Sequence, residues 1–149
     1  MKDALRLDEQ ICFALYASSR LVTRLYQPLL DRVGLTYPQY IVLMVLWEDA
    51  PCTVSHVAKR TVLNTNTLTP LLKRMEQQGL IERTRSASDE RIVQLAVTAK
   101  GRKLKAECAC IPEQMMAATD FAPAKAQQLK RLLDELLRTL QAGAGTLPD

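Results

Sequence analysis

The sequence predicts a mainly α fold with a small β-hairpin wing, a winged helix-turn-helix, and three observations carry that prediction. Two short helical stretches, "TVSHVAKRT" and "LNTNTLTPLLKRMEQQGLI", flank a tight turn, and Gly79 stops the second. Directly after them, "LIERTR" and "RIVQLAVT" have strand composition and bracket the turn-forming "SASDE", which is the pattern of a hairpin. The third observation is charge. From Lys59 to Lys105 eleven Lys or Arg stand against four Asp or Glu, a surplus of seven in a chain whose net charge is only +4. A basic excess concentrated in the same third of the chain as a helix-turn-helix is the footprint of nucleic-acid binding.

Taken in order, the elements support this reading. From Leu7 to Leu30 apolar residues recur at Ile11, Leu15, Val22, Leu25 and Leu29 in steps of three and four, which predicts a long amphipathic helix. Asp8 is its expected N-cap, with Leu7 stapled against Cys12. Gly34 and Pro38 interrupt, and Thr36 with Gln39 has capping-box spacing. An almost wholly apolar helix through "YIVLMVLWE" should follow and form the core. Pro70 belongs near the first turn of its helix or kinks it. Beyond the hairpin, Thr98 opens a helix "AKGRKLKAECACIPEQMM" whose apolar line is Leu104, Cys108, Ile111 and Met115, bent by Pro112. A final helix carries Leu129, Leu132, Leu133, Leu136, Leu137 and Leu140. That stripe is wider than docking one short helix requires, and with the first helix it predicts a homodimer built through both chain ends.

At 149 residues and 48% hydrophobic content the chain supports one core. The expected organisation is a single domain over 1–149. Residues 7–33 and 98–141 would dimerise, 53–97 would bind DNA and 143–149 would form a flexible tail. Neither the longest apolar run, Ile41 to Trp47, nor the opening "MKDALRLDEQ" suits a membrane span or signal peptide, so the expectation is a soluble, cytoplasmic protein with no membrane partner. In that compartment Cys12, Cys52, Cys108 and Cys110 are reduced or redox-active rather than a disulfide framework.

Base-edge contacts need short polar side chains at the start of the recognition helix, and Asn64, Thr65, Asn66, Thr67 and Thr69 provide them, with Lys73 and Arg74 further along. In the wing, Arg85 and Arg91 are the candidate DNA contacts, Arg91 steadied by Asp89 for insertion into a narrow minor groove of a double-stranded operator. Enzyme readings are weak. The sole histidine, His56, lies in the first helix of the DNA-binding pair, no glycine-rich phosphate loop occurs, and Cys108-x-Cys110 has poor zinc spacing. No cofactor or metal is expected.

The stretches "LDEQICFALYASSRLVTRLYQPLLDRVGLTYPQYIVLMVLWE", "TLTPLLKRMEQQGLIERTRSASDER" and "LAVTAKG" closely resemble the OhrR-type organic-hydroperoxide sensors of the MarR repressor family. The resemblance runs from about Leu7 to Pro112. It implies a dimeric repressor of a palindromic operator, with Cys12 as the thiol oxidised by organic hydroperoxides and Tyr26 and Tyr37 as phenols that hydrogen-bond its thiolate. On the residues alone, Cys12 reads as a small core hydrophobe and the tyrosines as interface aromatics. Fourteen residues separate Cys12 from Tyr26, about 21 Å along a straight helix, so a site using both must be built across a dimer. Phe13, Leu15 and Tyr16 favour alkyl over hydrogen peroxide, and Asp8 and Glu9 oppose the thiolate unless they point to solvent. Relatives with a second, resolving cysteine carry it in the helix after the wing, where Cys108 and Cys110 both lie; a small-molecule thiol is the other possible resolving partner. Two further readings stay open: a MarR-type regulator released by a small aromatic ligand, with Cys12 structural, and a thiol peroxidase.

Overall fold

The computed structural model describes residues 5–143. After a short 3-10 turn, Leu7–Glu9, come α1 (Ile11–Asp31), α2 (Tyr37–Asp49), β1 (Cys52–Thr53), α3 (Val54–Thr61), α4 (Thr65–Gln77), β2 (Ile81–Arg85), β3 (Val93–Val97), α5 (Ala99–Cys108), α6 (Ile111–Ala117) and α7 (Pro123–Gly143). The chain divides between Ile111 and Pro112 into two compact units. The expected tail falls almost entirely on 144–149, outside the described residues.

Helix starts are set by the side chains that satisfy their orphan N–H groups. Thr36 and Gln39 form the reciprocal capping box of α2: the Gln39 N–H donates to Thr36 Oγ1 at 3.4 Å and the Thr36 N–H donates to Gln39 Oε1 at 2.9 Å. Gln39 is buried, and its amide also donates to Gln78 Oε1 at 2.9 Å, which joins the start of α2 to the end of α4. Thr53, Asn64 and Thr98 cap α3, α4 and α5 by a single bond each, the side-chain oxygen accepting from the N–H three residues on. The first helix departs from expectation. Asp8 lies in the 3-10 turn, and Gln10 is the N-cap of α1. That shift moves the staple positions off Leu7 and Cys12 and puts Cys12 second in the helix.

α2 is the core helix. Tyr40, Val42, Leu43, Val45 and Leu46 are all buried, and α1, α3, α4, α5 and β3 pack around it. Leu68, Leu72 and Met75 turn the inner face of α4 to this core while Thr65, Asn66, Lys73 and Arg74 stay exposed. Pro70 lies in the second turn of α4, and the helix runs through it to Gln77. Its missing N–H leaves the Asn66 carbonyl without a helical donor.

The hairpin pairs β2 with β3 antiparallel, Ile81 opposite Val97 and Arg85 opposite Val93. A third strand, unforeseen from the sequence, completes the sheet in the order β1-β3-β2, with Cys52 opposite Leu95. The expected single helix after the wing is instead two, α5 and α6. Pro112 sits in the first turn of α6, where its lack of an N–H costs nothing, so it starts a helix rather than bending one. The anticipated apolar line holds: Leu104, Cys108, Ile111 and Met115 are all buried.

Between α3 and α4, Val62 takes φ +57°, a left-handed conformation that a β-branched residue adopts at a cost, and its side chain is 63% exposed. Little packing would be lost by replacing it. Val62→Asn is therefore expected to stabilise the chain by about 1 kcal/mol and raise the midpoint of thermal unfolding by roughly 2–4 °C. An unchanged or lowered midpoint contradicts it.

Candidate thiol sensor and nucleic-acid interface

Cys12 occupies the first turn of α1, where backbone N–H groups lacking helical partners favour an anion. The residue is exposed, as are Asp8 and Glu9 in the turn before it. Beside it Phe13 and Leu15 are half-buried, and Tyr16 is exposed with the Arg20 guanidinium 5.6 Å from its ring centroid.

Tyr26 and Tyr37 meet. Their ring centroids are 5.0 Å apart, with Tyr26 supplied by α1 and Tyr37 by the first residue of α2. Burial raises both phenols above the ordinary tyrosine range, and Tyr37 raises Tyr26 further, so both remain O–H donors across the physiological range. A third ring, Tyr40, was missed in the sequence. It lies 5.9 Å from Tyr26 and 6.5 Å from Tyr37 and is pushed up to about 12, chiefly by burial. The signal for it was the i, i+3 spacing from Tyr37 on a helix expected to be buried all round. Because α1 is continuous from Ile11 to Asp31, Cys12 and Tyr26 stand about 21 Å apart within one chain.

The two later cysteines have opposite settings. Cys108 is buried, and burial first, then the charges of Glu107 and Cys110, push its thiol up, whereas Cys110 is exposed. Cys52 is half-buried on β1, its thiol raised by burial and by the nearby Asp49. Asp49 itself lies below the usual carboxylate range, first because His56 Nε2 donates to it at 2.7 Å and then because Arg60 is close, a cluster that joins α2 to α3. Among the described residues no cluster of three or more His, Cys, Asp or Glu could hold a metal ion.

On the opposite face of α4 from the core, Thr65, Asn66, Thr67, Lys73 and Arg74 are exposed and Thr69 is half-buried. Asn64 Oδ1 accepts from the Thr67 N–H at 2.8 Å, so its oxygen is committed to the cap. Arg85, Asp89 and Arg91 are exposed in the wing. Asp89 steadies Arg91 through the backbone rather than the guanidinium: its Oδ1 accepts from the Arg91 N–H at 3.0 Å, closing a turn that leaves the Arg91 side chain to project.

A groove of about 470 Å³ separates the start of α4 from the wing, lined among others by Thr53, Thr65, Thr69, Arg83, Arg91 and Val93. Arg83 was not anticipated. Its Nη1 lies 3.6 Å from Glu76 Oε2, and its Nε is buried without a hydrogen-bond partner. Strand alternation puts it on the same face as buried Ile81, and an arginine on an inward-facing strand position was the available signal.

An exposed polar recognition helix beside a basic wing defines a winged-helix transcriptional regulator. Residues 24–108 match the family model described as transcriptional regulator SarA/Rot. The organic hydroperoxide resistance transcriptional regulator of Bacillus subtilis (strain 168) is 46% identical over 93% of this chain and 94% of its own length. The structure of reduced AbfR bound to DNA superposes with a TM-score of 0.79 at 34% identity, covering 95% of this chain and 96% of that one. Overoxidized AbfR bound to DNA gives 0.73 at 34% identity, covering 91% and 96%; AbfR is a protein of Staphylococcus epidermidis. The chain belongs to the MarR-type family of organic hydroperoxide resistance regulators. The relatives compared are transcriptional regulators, and no helix among the described residues is long and apolar enough to cross a membrane.

Proposed function

We propose that this chain is a homodimeric repressor that holds a palindromic operator while Cys12 is reduced and releases it when an organic hydroperoxide oxidises Cys12. The observation that carries the reading is the pair of protonated phenols, Tyr26 on α1 and Tyr37 on α2, in contact with each other, with Tyr26 about 21 Å along α1 from Cys12, the thiol on that helix. A second chain brings its own Cys12 to them. Ile11, Val22 and Leu25 on α1 and Leu132, Leu133, Leu137 and Leu140 on α7 are exposed apolar residues that such a dimer would cover.

The thiolate sulfur attacks the terminal peroxide oxygen. An S–O bond forms as the O–O bond breaks, sulfur loses two electrons, and the leaving alkoxide takes a proton to become the alcohol. The sulfenic acid then condenses with a thiol and releases water. Cys110 is the accessible internal partner, Cys108 requires its helix to open, and a small-molecule thiol requires neither. The protein senses hydroperoxide rather than turning it over.

Operator binding measured with and without cumene hydroperoxide, on wild type and Cys12→Ser, tests the reading. Wild type should lose the operator on treatment while Cys12→Ser keeps it. Equal loss in both would leave Cys12 structural and favour release by a small aromatic ligand, and repeated turnover with a reductant would mark a thiol peroxidase. On non-reducing gels of the same samples, a covalent dimer lost in Cys108→Ser or Cys110→Ser identifies the resolving residue. Monomer with the mass of an added small thiol excludes both.

A further inference from the structure

We propose that Tyr40 is a positioning residue for the thiol chemistry, its buried ring seating the Tyr26 and Tyr37 phenols and tying them through Trp47 to the first turn of α5. The inference rests on the reading that those two phenols serve Cys12. Tyr40 is 3% exposed, and its ring centroid lies 5.9 Å from Tyr26 and 6.5 Å from Tyr37. Tyr26 and Tyr37 are each only half-buried, and the nearly fully buried Tyr40 ring packs beside both.

Behind Tyr40 stands Trp47, edge-on with centroids 6.4 Å apart at 69°. Its indole N–H donates to the Gly101 carbonyl at 2.9 Å. Gly101 is itself held, because its Cα lies so close to the Leu80 carbonyl and Val97 Cγ1 that no side chain would fit. The aromatic column is therefore anchored at one end and presents two phenols at the other. Tyr40 acts through the direction in which Tyr26 and Tyr37 aim their O–H groups, and a hydrogen bond to a reacting thiolate is sensitive to small misplacements.

The experiment measures the rate of Cys12 oxidation by cumene hydroperoxide, with operator affinity of the reduced protein as the control for folding. Tyr40→Leu should slow oxidation roughly tenfold while operator binding stays as in wild type, and Tyr40→Phe, which keeps the ring, should restore the rate. In a Tyr26→Phe, Tyr37→Phe background the same Tyr40→Leu change should add little, since the groups it positions are gone. Should Tyr40→Leu fail to fold, Tyr40→Met carries the same comparison. Wild-type oxidation by an operator-binding Leu or Met variant overturns the proposal, as does an undiminished effect in the double-Phe background. If the double-Phe protein itself oxidises at the wild-type rate, the phenols do not serve Cys12, and the proposed function of those residues falls with this inference. If double-Phe is slow but Tyr40→Leu is not, only the role of Tyr40 falls.

Discussion

Gly101→Ala is expected to lower the stability of the folded chain by about 3 kcal/mol, the upper part of the range for forcing a methyl group into a packed interior. A Cβ at this position would collide with the backbone oxygen of Leu80 and approach Val97 Cγ1 to 2.8 Å. The first obstacle is main chain and cannot swing away, so relief requires α5 to withdraw from the end of α4. That movement would also stretch the hydrogen bonds that Thr98 Oγ1 donates to Gly79 O at 2.7 Å and to Leu80 O at 3.1 Å, and the one from Trp47 Nε1. The single tryptophan makes the change visible, because Trp47 fluorescence during urea unfolding follows the residue bonded to Gly101. The comparison needs a fixed protein concentration, since dimer stability depends on it. A midpoint and Trp47 signal equal to wild type would show that α5 can shift at no cost.

The second large effect is expected at the DNA surface. Arg91→Ala should weaken operator binding about a hundredfold, because a two-fold dimer loses one wing contact of about 1–2 kcal/mol at each half-site. The Asp89 carboxylate already holds the Arg91 backbone, so the loop should keep its shape when the side chain is cut and the loss reports the guanidinium alone. The slope of log affinity against log salt concentration should fall by about two, one per wing. Asn66→Ala is expected to behave differently, changing the preferred sequence while leaving the salt slope near that of wild type, since an amide reads base edges rather than neutralising phosphate. A hundredfold loss in Arg91→Ala with no change in slope would move that residue from a charge contact to a structural one.

Most of the fold could be read locally. Caps are matters of spacing over three residues, and Thr36 and Thr98 each start the helix expected of them, while Thr53 and Asn64 cap α3 and α4 by the same spacing without having been singled out for it. The apolar stretch through Val42 and Leu46 announced a core helix, and the hairpin follows from two β-rich runs around a polar turn. The first helix shows where spacing misleads. Asp8 has the chemistry of an N-cap, but a 3-10 turn precedes α1, and Gln10, with no side-chain cap bond, occupies the position. Pro112 was equally ambiguous, because a proline read in sequence can bend one helix or begin the next.

The candidate site divides along the same line. Which residue types were present, a thiol near a helix start, tyrosines at 26 and 37, a polar recognition helix and a basic wing, was determined by the sequence alone, as was the about 21 Å that separates Cys12 from Tyr26 on one helix. The tertiary structure alone decided their neighbours. Two residues, Cys52 and Thr53, became a third strand only because Leu95 and Gln94 lie alongside. Tyr40 became part of the phenol cluster because α1 lies against α2. Gly101 became irreplaceable because Leu80 crosses it, while Trp47, fifty-four positions away, bonds its carbonyl. Capping and periodicity act over one turn of chain, whereas burial, ring stacking and close backbone approach depend on segments that meet only once the core has formed.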